Sequence, residues 1–164
     1  PSGKLAMTFP YSTGQIPIYY NRRKSGRGHQ GFYKDITSDP LYPFGHGLSY
    51  TEFKYGTVTP SVTKVKRGDR LSVEVTVTNV GARDGAETVH WFISDPYCSI
   101  TRPVKELKHF EKQLIKAGET KTFRFDIDLE RDFGFVNEDG KRFLEAGEYH
   151  ILVQGQTVKI ELID

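Results

Sequence analysis

Between Asp69 and Pro96 the sequence reads DRLSVEVTVTNVGARDGAETVHWFISDP, and its first half alternates without a break. Leu71, Val73, Val75 and Val77 fall on one side; Ser72, Glu74, Thr76 and Thr78 fall on the other. A strand with one buried and one wet face requires this period of two, because successive side chains of an extended chain point to opposite faces. Asn79 to Gly85 is a run of turn formers whose two glycines, Gly81 and Gly85, can supply positive φ. The chain resumes as Thr88-Val89-His90-Trp91-Phe92-Ile93, rich in β-branched and aromatic residues. It stops at Ser94-Asp95-Pro96, where proline cannot continue a ladder. Two long strands are expected, with Val89, Trp91 and Ile93 aimed at the same core as the valines.

The remainder supplies partners for this pair. Thr51 to Thr59 carries Phe53, Tyr55 and Val58 and breaks at Pro60. Thr120 to Leu129 alternates again, with Phe123, Phe125, Ile127 and Leu129 inward. Phe133 to Phe143 holds a hairpin around Asn137-Glu-Asp-Gly140. Tyr149 to Gln154 and Val158 to Leu162 close the chain. Val104 to Ile115 is ambiguous. Val104, Leu107, Phe110 and Leu114 fit a helical stripe, whereas a strand would put Leu107 and Ile115 on one face and Phe110 and Leu114 on the other. About seven short strands, with turns every 8–12 residues or so, predict an all-β, immunoglobulin-like antiparallel β-sandwich. Tyr149, just after a Gly-Glu turn, stands either where a tyrosine corner would be or as an ordinary half-buried strand tyrosine.

Residues 1–49 follow no strand or helix period. They are rich in Gly, Pro and aromatics: Phe9-Pro10-Tyr11, Ile16-Pro17-Ile18-Tyr19-Tyr20, Phe32-Tyr33, Leu41-Tyr42-Pro43-Phe44. Disordered tails are poor in aromatics. A long irregular N-terminal arm is therefore expected over 1–49, laid across a surface with its aromatics docking one by one. The sandwich follows over 50–164.

The charge is nearly balanced, 23 Lys and Arg against 21 Asp and Glu. That excludes the basic excess of a nucleic-acid binder; the short run Arg22-Arg23-Lys24 with Arg27 reads as a solvated linker. Cys98 is the single cysteine, so no intrachain disulfide forms. No apolar run approaches the roughly 20 residues of a membrane helix. The chain opens at Pro1 rather than Met, with no signal peptide, and is expected to be a processed product or an excised piece.

Motifs that could carry chemistry fail on inspection. Asp132-Phe133-Gly134 spells a kinase metal triplet, but the glycine-rich loop and strand lysine that a kinase needs are missing. A calcium loop with Gly140 at its sixth position would put Phe135 first and Ala146 twelfth, where carboxylates are required. Ser49, between Leu48 and Tyr50, is no nucleophile elbow. Cys98 with His90 or His109 reads as packing and surface rather than a catalytic pair. Hydrolysis of a glycoside with retention needs two carboxylates about 5–5.5 Å apart across a cleft; Asp126 and Asp128 share a face with Thr122 and Arg124 that looks like solvated sheet. Trp91, the only tryptophan, belongs to the inward set rather than to a sugar-stacking platform.

Asp39 to Phe53, DPLYPFGHGLSYTEF, closely resembles a signature near the C-terminus of family 3 glycoside hydrolases, the β-glucosidase and β-xylosidase family. Gly3 to Pro10 with Gly14 to Asn21 is similar to the end of that family's α/β sandwich domain, apart from Ala6 where proline is usual. Val73 to Gly85 resembles its V-x-V-T-N-x-G-x-x-x-G strand pair, and Arg102 to Phe110, followed by Ala117-Gly-Glu-Thr120, resembles the block after it. The resemblance covers the chain in order. It implies a fibronectin type III-like domain preceded by a linker, and it tips 104–115 towards strand. It brings no catalytic residue, because neither the nucleophile's motif nor the acid/base region is matched.

The expected function is that of a non-catalytic accessory domain bracing the catalytic domains of a retaining β-glycosidase, with no cofactor and no metal. Leu41, Tyr42, Pro43, Phe44, Leu48 and Tyr50 are the expected docking side chains, and the upstream catalytic domains of the same parent are the expected partner. Alternatives are a carbohydrate-binding module, which needs a row of exposed aromatics, and a generic partner-binding module, for which the arm would be dispensable. Neither nucleic acid nor membrane is expected as a partner. The family implies a periplasmic or secreted parent.

Overall fold

The computed structural model describes residues 1–23, 37 and 39–164. Lys24, Arg27, Phe32 and Tyr33, named above, lie outside the described residues. Among the described residues eleven strands follow in order: β1 Phe53–Tyr55, β2 Thr59–Pro60, β3 Lys64–Lys66, β4 Leu71–Asn79, β5 Gly85–Ser94, β6 Glu106–Ile115, β7 Thr120–Ile127, β8 Phe135–Val136, β9 Arg142–Phe143, β10 Gly147–Val153 and β11 Gln156–Ile163. In one sheet β7 runs antiparallel along the whole of one edge of β4, and β1 and β2 share its other edge. The second sheet has the order β3-β11-β10-β5-β6. The hairpin of β8 and β9 stands apart, turning at Gly140 with φ of 75°.

The two long strands are not ladder partners. β4 and β5 lie in opposite sheets and face each other across the core. Leu71, Val73, Val75 and Val77 meet Val89, Trp91 and Ile93, with Phe123 and Phe125 from β7 and Ile151 from β10. Each such side chain gains about 1.5–3 kcal/mol by leaving water. Trp91 is fully buried and tilts on Phe125 at 6.2 Å. The crossover from β4 to β5 also works differently from expectation. Neither Gly81 nor Gly85 has positive φ. They are required because a Cβ would lie 2.2 Å from the Thr51 hydroxyl oxygen at Gly81 and 2.6 Å from its methyl at Gly85. Close approach, not backbone handedness, selects glycine there.

Val104 to Ile115 resolves as strand β6, but not with the faces foreseen. Register with β5 shifts between Trp91 and Phe92, so that Trp91 faces His109 and Phe92 faces Leu107, leaving Lys108 as an extra residue. This bulge moves Leu107 to the side of Phe110 and Leu114 and away from Ile115. Pro60 ends its segment as expected: it is the last residue of two-residue β2, at a sheet edge where no amide is needed.

Tyr149 is a tyrosine corner. Its hydroxyl donates to the Glu145 carbonyl at 2.8 Å, and its ring stacks on Phe133 at 4.3 Å. Burial pushes the phenol up to about 12. Asp132-Phe133-Gly134 ends a single π turn, Leu129–Phe133, with Asp132 buried against the Arg131 guanidinium and the Asp128 amide.

Candidate functional site: the arm on the five-stranded sheet

The arm folds back on itself. Lys4 bridges Gly47 and Phe9 bridges Tyr42, both antiparallel. Gln15 is buried and donates from its amide to the carbonyls of Thr37 and Asp39 at 2.8 and 3.1 Å. Pro43 to His46 form a tight turn closed by a 3.0 Å bond from the His46 amide to the Pro43 carbonyl. Gly45 takes φ of 84° there, a conformation disfavoured for any residue with a Cβ. A Cβ would also stand 3.0 Å from Nδ1 of His90. That turn places Phe44 on the outer face of β5.

Phe44 stacks on Tyr20 at 4.1 Å and meets Phe92 edge-on at 6.1 Å and His90 at 5.7 Å. Tyr20 also meets Phe92 edge-on, and its hydroxyl accepts from the Leu107 amide at 3.3 Å. Lys105 sits with its ammonium 4.7 Å above the Phe92 ring. Aromatic pairs of this kind are worth about 0.5–1.5 kcal/mol beyond the area they bury. A polar clamp lies beside them. Lys4 reaches Glu87 at 2.7 Å, and the Tyr55 hydroxyl donates to the same Glu87 oxygen at 2.5 Å. Both ionic side chains are mostly buried, where a pair is screened far less than at an open surface. Burial, helped by hydrogen bonding to Glu87 and its charge, holds the Tyr55 phenol far above its ordinary value. Burial, and secondarily the Lys4 charge, holds the His90 imidazole below its usual range, while Glu87 pulls the other way.

A cavity of about 220 Å³ remains under the arm, with Lys4, Tyr55, His90, Phe92 and Lys105 in its wall. No carboxylate lines it among the described residues, so hydrolysis by a carboxylate pair has no counterpart there. His109 stacks instead on Phe125 at 4.9 Å. The Cys98 thiol donates to the Ile100 carbonyl and is pushed up by burial, away from the thiolate that nucleophilic chemistry needs. Arg124 spans Asp126 and Glu74 at 2.8 and 2.9 Å on an exposed face.

Of the six docking candidates, Phe44 is half-buried on the sheet. Leu41, Tyr42, Pro43, Leu48 and Tyr50 stay exposed, Leu48 to 71% and Tyr50 to 77%. Met7, Tyr11 and Tyr19 of the same arm are exposed with them. Sequence reasoning missed Lys4 and Tyr20 as anchors to the sheet. Nothing in Tyr19-Tyr20 tells which ring turns inward, and a lysine eighty-three positions before its partner leaves no local signal.

Residues 87–157 match the fibronectin type III-like domain family. The chain is 40% identical to a periplasmic β-glucosidase of Salmonella typhimurium over 98% of its own length and 22% of the relative's. It is 40% identical to a β-xylosidase of Formosa agariphila, covering 93% of this chain and 21% of that one. Among solved structures, a β-glucosidase of Erythrobacter marinus superposes with a TM-score of 0.92 at 40% identity, over 99% of this chain and 22% of its own. One from Listeria innocua, in complex with glucose, gives 0.91 at 38%, over 100% and 24%. The chain thus spans between a fifth and a quarter of these relatives.

Proposed function

From the premise that this chain carries the fibronectin type III-like domain of the family 3 glycoside hydrolases, of β-glucosidase and β-xylosidase type, we propose that it is a non-catalytic accessory domain. It braces the catalytic domains of a parent that hydrolyses terminal β-glycosides. The arm is the brace. One observation carries this reading: the arm is two-sided. Tyr20, Phe44 and Lys4 fasten it to the five-stranded sheet, while Leu41, Leu48 and Tyr50 stay exposed, as does Tyr42, whose ring tilts on His46 of the arm itself. A segment anchored on one side and apolar on the other suits a partner surface. The periplasmic relative supports a periplasmic or secreted parent.

The test is reconstitution. The chain is mixed with the separately expressed upstream domains of its parent, and hydrolysis of an aryl β-glucoside is followed on heating. Added chain should prolong activity, and a Leu48→Ser, Tyr50→Ser variant should not. Hydrolysis by the chain alone, or equal protection by the variant, would overturn the assignment.

A further inference from the structure

We infer that the pocket between the strand β6 entry and the β8–β9 hairpin binds a small organic carboxylate of the size of a single sugar acid. The pocket holds about 310 Å³, at the lower end of ligand sites, which run from about 300 to 1,000 Å³. Five cations line it, Arg23, Arg102, Lys108, Arg131 and Arg142, with Glu106 as the one acidic residue in the wall. On a chain of net charge +2 this is a local concentration of charge.

Three of the five are already matched. Arg102 is buried, pairs with Asp95 at 3.0 Å and Glu106 at 3.4 Å, donates to the Phe133 carbonyl, and lies over the Phe135 ring. Lys108 shares Glu106 at 2.9 Å. Arg131 grips Asp132 with two 2.8 Å bonds. Arg23 and Arg142 have no ion pair among the described residues. Arg142 spends only Nη1, on the backbone carbonyls of Glu130 and Arg131, both at 3.2 Å. Those carbonyls orient the guanidinium without neutralising it. Arg23 is held by its backbone bridge to Pro103.

Two uncompensated guanidinium groups in one concavity focus a positive potential. Their planar forks suit a carboxylate, which accepts two parallel N–H bonds. The remaining wall includes apolar residues, Ile100, Pro103, Phe135 and Val136, beside Thr101. Ile100 and Val136 are both exposed, Val136 to 54%. A bare inorganic ion would leave that apolar wall wet; a ring bearing a carboxylate covers it. The site takes Arg23 from the arm but uses none of the ring contacts at Phe44 and His90, and it stands whether or not the bracing role does.

The test follows the backbone amide resonances of Thr101, Gly134 and Val136 while sodium glucuronate, glucose or sodium phosphate is added to the whole chain. Glucuronate should move them saturably, glucose should not, and added salt should weaken the effect. Arg23→Gln and Arg142→Gln, both at exposed positions, should each weaken glucuronate about tenfold, the scale of a lost charge-assisted bond. Arg124→Gln, on the other sheet, should change nothing. Phosphate binding as tightly as glucuronate would leave only a general anion site and overturn the inference. So would binding unaffected by either variant, or no response to glucuronate. If Arg142→Gln instead weakened association with the upstream domains while glucuronate stayed inert, the pocket would hold a protein carboxylate and the small-ligand reading would fall.

Discussion

Asn79 ends the most regular strand of the chain and is fully buried there. Its amide nitrogen donates to the carbonyls of Arg83 at 2.7 Å and Ile115 at 3.0 Å, and its amide oxygen accepts from the Thr51 hydroxyl and the Gly81 amide. One side chain thus ties the end of β4, the crossover, the end of β6 and the approach to β1. Each buried polar group left unpaired costs about 1–3 kcal/mol, so Asn79→Ala should lose about 3 kcal/mol, read by urea denaturation; a loss below about 1 would show water replacing it. His90 offers a second prediction. Its folded pKa is depressed, chiefly by burial under the arm, so the unfolded chain binds more protons. Its stabilising contribution is complete above the unfolded value of about 6.5 and is lost as pH falls through the lower folded value. Phe44 and Phe92 pack against the ring, Lys4 opposes its charge and Glu87 favours it. Melting curves at mildly acidic and neutral pH should converge for His90→Gln relative to the parent chain, and an unchanged pH slope would rule out this site as its source.

Strand β6 shows how much an element reveals in advance. The inward set Val73, Val75, Val77 and Phe123, Phe125, Ile127 was legible, because an unbroken ladder keeps a period of two. Leu107, Phe110 and Leu114 imitated a helix for a physical reason. The bulge at Lys108 inserts one residue, so Leu107 and Phe110 share a strand face at a spacing of three, and Leu114 follows two ordinary strand steps later, at four. No sequence period distinguishes that from a helical stripe. The hairpin at Gly140 was legible from turn chemistry, and the Gly-Glu turn before Tyr149 left a tyrosine corner open without deciding it, whereas Asn79, Gly81 and Gly85 read as plain turn formers because their contacts come from Thr51, far away in sequence. At this scale a prediction concerns the outer face of β6. Phe110 and Leu114 remain largely exposed on an edge strand, where apolar side chains invite association. Replacing both by threonine should leave chemical stability within about 0.5 kcal/mol, as for surface positions. It should reduce light scattering at high protein concentration. A loss of more than about 1 kcal/mol would mean that both pack within the isolated chain.

Among the described residues, every member of the core cluster lies between Val58 and Leu162, and none comes from the arm. The sandwich therefore has the means to fold without residues 1–49. Among the described residues, the arm's own contacts are of a different kind: two stacked rings, a polar clamp and a few main-chain bonds laid over a face that is already a formed sheet. The sequence showed both halves of this division through the change from period to no period near Tyr50. It hid which arm residues turn inward, since docking on a surface imposes no repeat. Deleting residues 1–49 should leave cooperative unfolding, because the two sheets and their shared core remain intact. It should also bare Phe92, His90 and Leu107, removing aromatic contacts worth about 0.5–1.5 kcal/mol each and lowering the melting temperature on the order of 5–10 °C. Calorimetry of the shortened chain checks both statements. A single sharp transition shifted by that amount supports a sandwich that folds alone and an arm fastened to it. Loss of the transition would mean that arm and sandwich form one inseparable unit, and the two-sided brace would have to be replaced by a domain whose folding includes its own linker.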